Sequence, residues 1–252
     1  MNRFVNKVAL VTGGSTGIGR RTVERFVSEG ATVITTGSSP ESVERTQVEL
    51  GEAVTVVPAD ALDLDAQRRL AAIVDERFGA LDVVVLNAGV SDWRPVKDWD
   101  EAGFDRVFDV NVKAPFFLLQ ALLPQLGRGA SVVVTASNSA LGGFLGGSVY
   151  GASKAAISLM ARCWAAELLA LGVRVNVVHP GPTETPMFSK LGIPAEHFEA
   201  AMRDVVAGVP IGRMGDPAEI AAAIAFLASD DAAFATGTEL VIDGGVTRVN
   251  AA

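Results

Sequence analysis

Short apolar runs alternate with longer amphipathic stretches along almost the whole chain, and this alternation is the strongest constraint on its fold. Val83-Val84-Val85 and Val132-Val133-Val134 are apolar at successive positions, as in strands buried on both faces. The pattern predicts strands at 7–12, 31–36, 53–58, 81–86, 130–136, 173–179 and 238–242. It predicts helices at 17–29, 40–50, 63–78, 100–126, 148–171 and 216–228. Strands joined through helices lie parallel, with right-handed crossovers. The expected fold is therefore α/β: a doubly wound, Rossmann-type parallel sheet of about seven strands with helices on both faces. No repeat, low-complexity tract or linker divides the sequence, so 1–252 reads as a single domain, and 252 residues suit one such unit.

Composition narrows the partners. The net charge is −8 and the isoelectric point about 4.8, which argues against nucleic acid or an anionic membrane as the main partner. No segment reads as a signal peptide or as a spanning helix of ~20 apolar residues, so a cytoplasmic location is expected. Cys163 is the only cysteine and lies in an apolar helical stretch, where it reads as core or interface packing. His179 and His197 are too few and too scattered for a metal site, and none is expected. His179 reads as a packed strand-end residue bordering the next turn.

Two local patterns carry chemistry. The run Gly13-Gly14-Ser15-Thr16-Gly17-Ile18-Gly19 follows the first strand and opens the first helix, the context of a dinucleotide site. Glycines let the backbone approach a pyrophosphate, and the helix N-terminus offers unpaired N–H groups and a favourable dipole. Farther on stand Ser137, Tyr150 and Lys154. Tyr150 and Lys154 are four apart on a predicted helix and share a face. An ammonium beside a phenol lowers its pKa, fitting it to exchange a proton with an alcohol or carbonyl. Ser137 closes a strand at its carboxyl end, where open α/β sheets place ligands.

Together these residues resemble the short-chain dehydrogenase/reductase family, in its single-domain branch of about 250 residues, over nearly the whole chain. The loop Thr12–Gly19 matches that family's cofactor loop, and Asn87-Ala88-Gly89 its turn after the fourth strand, although Leu86 replaces the usual first Asn. Asn111 matches its structural and catalytic Asn, and Ser137, Tyr150 and Lys154 its catalytic trio. Pro180-Gly181-Pro182-Thr183-Glu184-Thr185 matches the turn that meets the nicotinamide, and Gly237 to Gly245 the C-terminal strand and turn.

The resemblance implies an NAD(P)(H)-dependent oxidoreductase that interconverts a ketone or aldehyde and an alcohol by hydride transfer. Tyr150 is then the proton donor, and Ser137 donates a hydrogen bond to the reacting oxygen. Lys154 holds the ribose and acidifies Tyr150, and Asn111 holds a water that relays protons to Lys154. The cofactor contacts implied are Gly13, Ser15, Thr16, Gly17, Ile18, Gly19, Asp60, Ala61, Asn87, Ala88, Gly89, Tyr150, Lys154, Pro180, Gly181, Thr183 and Thr185. At the end of the second strand an acidic residue would bind the ribose 2′-hydroxyl of NAD. Gly37, Ser38 and Ser39 stand there instead, which favours NADP(H), with NAD(H) as the alternative.

The substrate side is expected to be apolar, lined by Trp93, Ser139, Leu141, Phe144, Met187, Phe188 and Met202. The stretch 186–215 breaks the alternation and reads as a substrate lid with a short helix near 195–206. Family members of this size commonly form tetramers, so a homotetramer is expected. Within the family, a 3-oxoacyl-carrier-protein reductase or a sugar dehydrogenase remains open. A different functional class on the same family fold is a non-catalytic nicotinamide sensor, which usually loses the Tyr or Lys.

Overall fold

The computed structural model describes residues 2–188 and 195–249; positions 189–194 of the expected lid and the ends of 1–252 lie outside the described residues. The strands are β1 (Val8–Val11), β2 (Thr32–Gly37), β3 (Val54–Pro58), β4 (Leu81–Leu86), β5 (Leu126–Thr135), β6 (Arg174–Pro180) and β7 (Glu239–Ile242). The helices are α1 (Gly17–Ser28), α2 (Pro40–Leu50), α3 (Leu64–Phe78), α4 (Glu101–Phe108), α5 (Ala114–Leu122), α6 (Ser148–Glu167), α7 (Ala195–Ala207) and α8 (Pro217–Ala228). All seven strands run parallel, in the order β3-β2-β1-β4-β5-β6-β7. The order reverses between β1 and β4, so a crevice opens at their carboxyl ends, where a doubly wound sheet binds its ligand.

The successive valines are explained by two cores. Val84, Val132 and Val134 face α3, α5 and α6, packing with Leu70, Leu118, Leu122, Ile157 and Trp164. Their neighbours Val83, Val85 and Val133 face the opposite layer, with Val23 and Phe26 of α1 and Ile220, Ile224 and Leu227 of α8. Each fully buried aliphatic side chain contributes roughly 1.5–3 kcal/mol, so both strand faces stabilise the sheet.

Helix starts follow their capping chemistry. Ser39 accepts from Ser42 N ahead of Pro40, and Asp63 accepts from Asp65 N and Ala66 N at the head of α3. Asp216 and Glu219 form a reciprocal capping box on α8, with Pro217 at its first position.

The one helix expected over 100–126 is instead two, separated by a π turn at Asp109–Lys113 in which Ala114 N donates to Asp109 O. Pro115 supplies the reason: it has no N–H for the carbonyl of Asn111, so an ordinary α-helical ladder cannot run through this point. The stretch Glu101–Gln125 is long and apolar enough by composition to cross a membrane, contrary to the reading that no segment is. It packs instead on the sheet through Leu118, Leu119 and Leu122. Cys163 lies exposed on α6, which excludes core packing, whereas Trp164 beside it is buried.

Candidate active site

The crevice is a cleft of about 1100 Å³ at the carboxyl ends of the strands. One end is built by the glycine loop. Thr12 Oγ1 accepts from Asn87 N (2.9 Å) and Ala88 N (3.0 Å), tying the end of β1 to the turn after β4. Gly13 N and Gly14 N donate to Thr36 Oγ1 and Thr35 Oγ1 on β2. These bonds hold the loop open beneath α1, where Thr16 makes no side-chain cap and the first turn carries no acid. The N–H end of α1 thus faces the cleft, with Gly17, Ile18 and Gly19 in its wall. Gly19 is required by close approach, since a Cβ there would lie 2.2 Å from Gly13 O and 2.5 Å from Asn87 Nδ2. An open, acid-free helix N-terminus behind a glycine turn fits the pyrophosphate of a dinucleotide.

The other end holds the trio. Ser137 follows β5, and its Oγ accepts from Ser139 N (3.2 Å) and Ser139 Oγ (2.9 Å). Tyr150 and Lys154 rise from α6 and are buried, with Lys154 Nζ 6.0 Å from the Tyr150 ring centroid and donating to Thr135 O at 3.0 Å. Burial pushes the Tyr150 phenol above its ordinary value, against a smaller pull from its hydrogen bond with Ser137. The expected acidification by Lys154 is therefore not what this geometry gives: Ser137 supplies the lowering pull, and burial, which would cut a phenolate off from water, outweighs it. Burial also brings the Lys154 ammonium down to about 8.

Most residues singled out in the sequence meet here. Gly13, Ser15, Thr16, Gly17, Ile18, Gly19, Ser38, Asp60, Ala61, Asn87, Ala88, Gly89, Pro180, Gly181, Thr183 and Thr185 line the cleft, as do Ser137, Tyr150 and Lys154. On the substrate side it is lined by Trp93, Phe144, Met187 and Phe188. Trp93 stands 5.8 Å from the Tyr150 ring and 6.5 Å from Phe144, forming an aromatic wall fixed by Trp93 Nε1 donating to Ser91 Oγ.

Six residues fall outside the cleft wall. Gly37 packs under α2, where a Cβ would approach Val43 Cγ2 to 2.9 Å, and the Ser39 hydroxyl is spent as the α2 cap. Asn111 is buried with its side chain committed: Oδ1 accepts from Val90 N, and Nδ2 donates to Val90 O and Ser153 Oγ. It clamps the turn after β4 to α6. Ser139 reaches the site only through Ser137, and Leu141 points out to solvent, 38% exposed. Met202 misses by less than one turn, since Asp204, Val205 and Gly208 are the described residues in and just after α7 that line the cleft. Sequence reasoning also missed Leu145, 98% exposed at the cleft mouth, Arg106, and Val246 just after the Gly244-Gly245 turn. An apolar residue in the glycine-rich loop 142–147 was a usable signal for Leu145.

A phosphate cradle at one end of a cleft, a buried Tyr and Lys at the other, and a parallel sheet beneath define a nicotinamide-dependent oxidoreductase. The comparisons name the family. A family model described as Enoyl-(Acyl carrier protein) reductase matches residues 13–247. The chain is 36% identical to "Oxidoreductase asL5" of Sarocladium schorii over 99% of both chains. It is also 36% identical to the 3-oxoacyl-[acyl-carrier-protein] reductase FabG of Thermotoga maritima, over 97% of this chain and 99% of that one. The crystal structure of a short-chain dehydrogenase/reductase (glucose/ribitol dehydrogenase) from Brucella melitensis superposes with a TM-score of 0.89 at 35% identity, covering 97% of this chain and 98% of that one. The protein belongs to the short-chain dehydrogenase/reductase family and is an oxidoreductase acting on CH–OH groups with NAD(P).

Proposed function

We propose that the enzyme interconverts an apolar ketone or aldehyde with its alcohol, with Tyr150 as the proton donor and acceptor. The observation that carries this reading is the buried Tyr150 against the aromatic wall of Trp93 and Phe144 in the cleft. The bound nicotinamide supplies or accepts the hydride. Tyr150, held protonated by burial, gives its proton to the carbonyl oxygen during reduction. Ser137 Oγ, held by two bonds from Ser139, exchanges its hydrogen bond with Tyr150 for one donated to that oxygen and stabilises the charge growing there. Lys154 lies behind Tyr150 as the group that holds the ribose.

For the cofactor we favour NADP(H) over NAD(H). The cleft wall at the end of β2 is Thr36 and Ser38, with no carboxylate from that strand to repel a 2′-phosphate. The segment 186–215 is read as a lid, supported by Met187, Phe188 and Val205 in the cleft wall. A homotetramer is favoured by apolar side chains left exposed on α4, α5 and α6, namely Phe104, Phe117 and Leu159. A 3-oxoacyl thioester is the second substrate reading, favoured by the activity named for the Thermotoga maritima relative.

The test is absorbance at the reduced-nicotinamide band with NADPH or NADH and a panel of ketones, aldehydes, sugars and 3-oxoesters. NADPH oxidised faster than NADH with an apolar ketone is the expected result. Tyr150→Phe abolishes turnover while cofactor binding persists; a variant with near-wild-type turnover would remove Tyr150 from the mechanism. Tight cofactor binding without turnover of any panel member would favour the sensor reading.

A further inference from the structure

His179 is the penultimate residue of β6, is 0% exposed, and is absent from the cleft wall. Its Nδ1 lies 2.8 Å from the backbone carbonyl of Ser137. A carbonyl can only accept, so Nδ1 carries the proton. The same carbonyl accepts from Ala140 N at 3.1 Å. On the far side of the ring, Nε2 is 3.2 Å from Glu239 Oε2 on β7 and 3.3 Å from Ser158 Oγ on α6. Ser158 Oγ stands 3.0 Å from Glu239 Oε1, and Arg162 Nε 3.4 Å from that oxygen. These groups are the polar surroundings of the imidazole. Whether Ser158 turns its single proton to Glu239 or to Nε2, the Nδ1 proton stays on Ser137.

Valines surround this position on β6, at Val175, Val177 and Val178. A buried polar network among them is costly unless every member is paired, and its pairing ends on the backbone of Ser137. We propose that His179, its ring packed between Glu239 of β7 and Ser158 of α6, is a positioning residue that fixes the Ser137 peptide and so aims the Ser137 hydroxyl into the cleft. The inference rests on the reading of Ser137 as donor to the reacting oxygen.

Two measurements need no substrate. With only two histidines in the chain, nitrogen-15 spectra of His197→Gln report His179 alone. A proton on Nδ1 is expected, and a bare Nδ1 would overturn the proposal. The Ser139 amide, held by Ser137 Oγ, should exchange with solvent faster in His179→Phe while central β4 amides keep their protection; an unchanged Ser139 amide would also overturn it.

Kinetics then test the consequence, with cyclohexanone and ethyl 3-oxobutanoate as probes. His179→Phe should lower kcat by about tenfold to a hundredfold with cofactor affinity unchanged, as a small misplacement of an aiming group does. His179→Asn, whose amide N–H can reach the carbonyl, should recover most of it. In a Ser137→Ala background, His179→Phe should cost nothing further. An equal loss in both backgrounds would overturn this inference and leave the function of Ser137 standing. A Ser137→Ala variant with unchanged kcat would fell the functional reading of Ser137 and this inference with it.

Discussion

Lys154 brings a positive charge to a place where charge is expensive. Its pKa falls from 10.5 to about 8, so below pH 8 the fold carries a buried ammonium. The unfolded chain binds the extra proton between about 8 and 10.5, so stability rises with pH across that window and is flat below it. Lys154→Met should therefore stabilise the fold at neutral pH by about 1–3 kcal/mol while abolishing turnover, read by thermal melting and the nicotinamide assay. A lower melting temperature would show that the bond to Thr135 O outweighs desolvation. Tyr150 shifts the other way, upward through burial, which favours the protonated phenol and hence carbonyl reduction at neutral pH. Alcohol oxidation needs the phenolate, so its rate should climb through the alkaline range while reduction declines there, as paired pH profiles would show. At this scale the trio was legible because its spacing is local. The side-chain partners of Asn111 and Ser139 were not, because Val90, Ser153 and Ser137 meet them only in three dimensions.

Among elements, strands and most helices stood out because the period of apolar residues depends only on local geometry. Strand β4 and helix α2 fall on 81–86 and 40–50 as expected, and β5 begins at Leu126, before the expected 130. The π turn was hidden because apolar spacing cannot register one extra residue per turn; only Pro115 hinted at an irregularity. Met202 failed similarly, since helical spacing gives a stripe but not which part of it turns to the cleft. Two element-scale predictions follow from caps and turns. Asp216→Ala removes the side-chain half of the capping box, the bond accepted from Ala218 N, and should cost about 1 kcal/mol in denaturant unfolding without changing cofactor affinity. Gly19→Ala forces a methyl group against Gly13 O and Asn87 Nδ2 and should weaken cofactor binding at least tenfold in a fluorescence titration.

For the whole molecule, Glu29 is the tie between distant parts. It accepts from Arg3 Nη2 at 2.8 Å and pairs with Arg25, and Arg3 also reaches Asp231. The bond to Arg3 leads in bringing the Glu29 carboxyl down to about 2 from 4.5, against the cost of its burial. The stability it adds is full above about pH 4.5 and is lost as pH falls toward 2. Discounted for the half-exposed Arg25, this is worth about 2 kcal/mol. Arg3→Ala should flatten that part of the acid-unfolding profile, and an unchanged profile would reject the tie.

The cleft draws its wall from every part of the chain, from Gly13 after β1 to Val246 after β7. Gly181 N is held by Ile242 O, so the turn beyond β6 is anchored only once β7 has joined the sheet edge. This orders events in time. During synthesis β1, β2 and β4 can pair early, but the catalytic pocket cannot close until the chain past residue 240 has emerged.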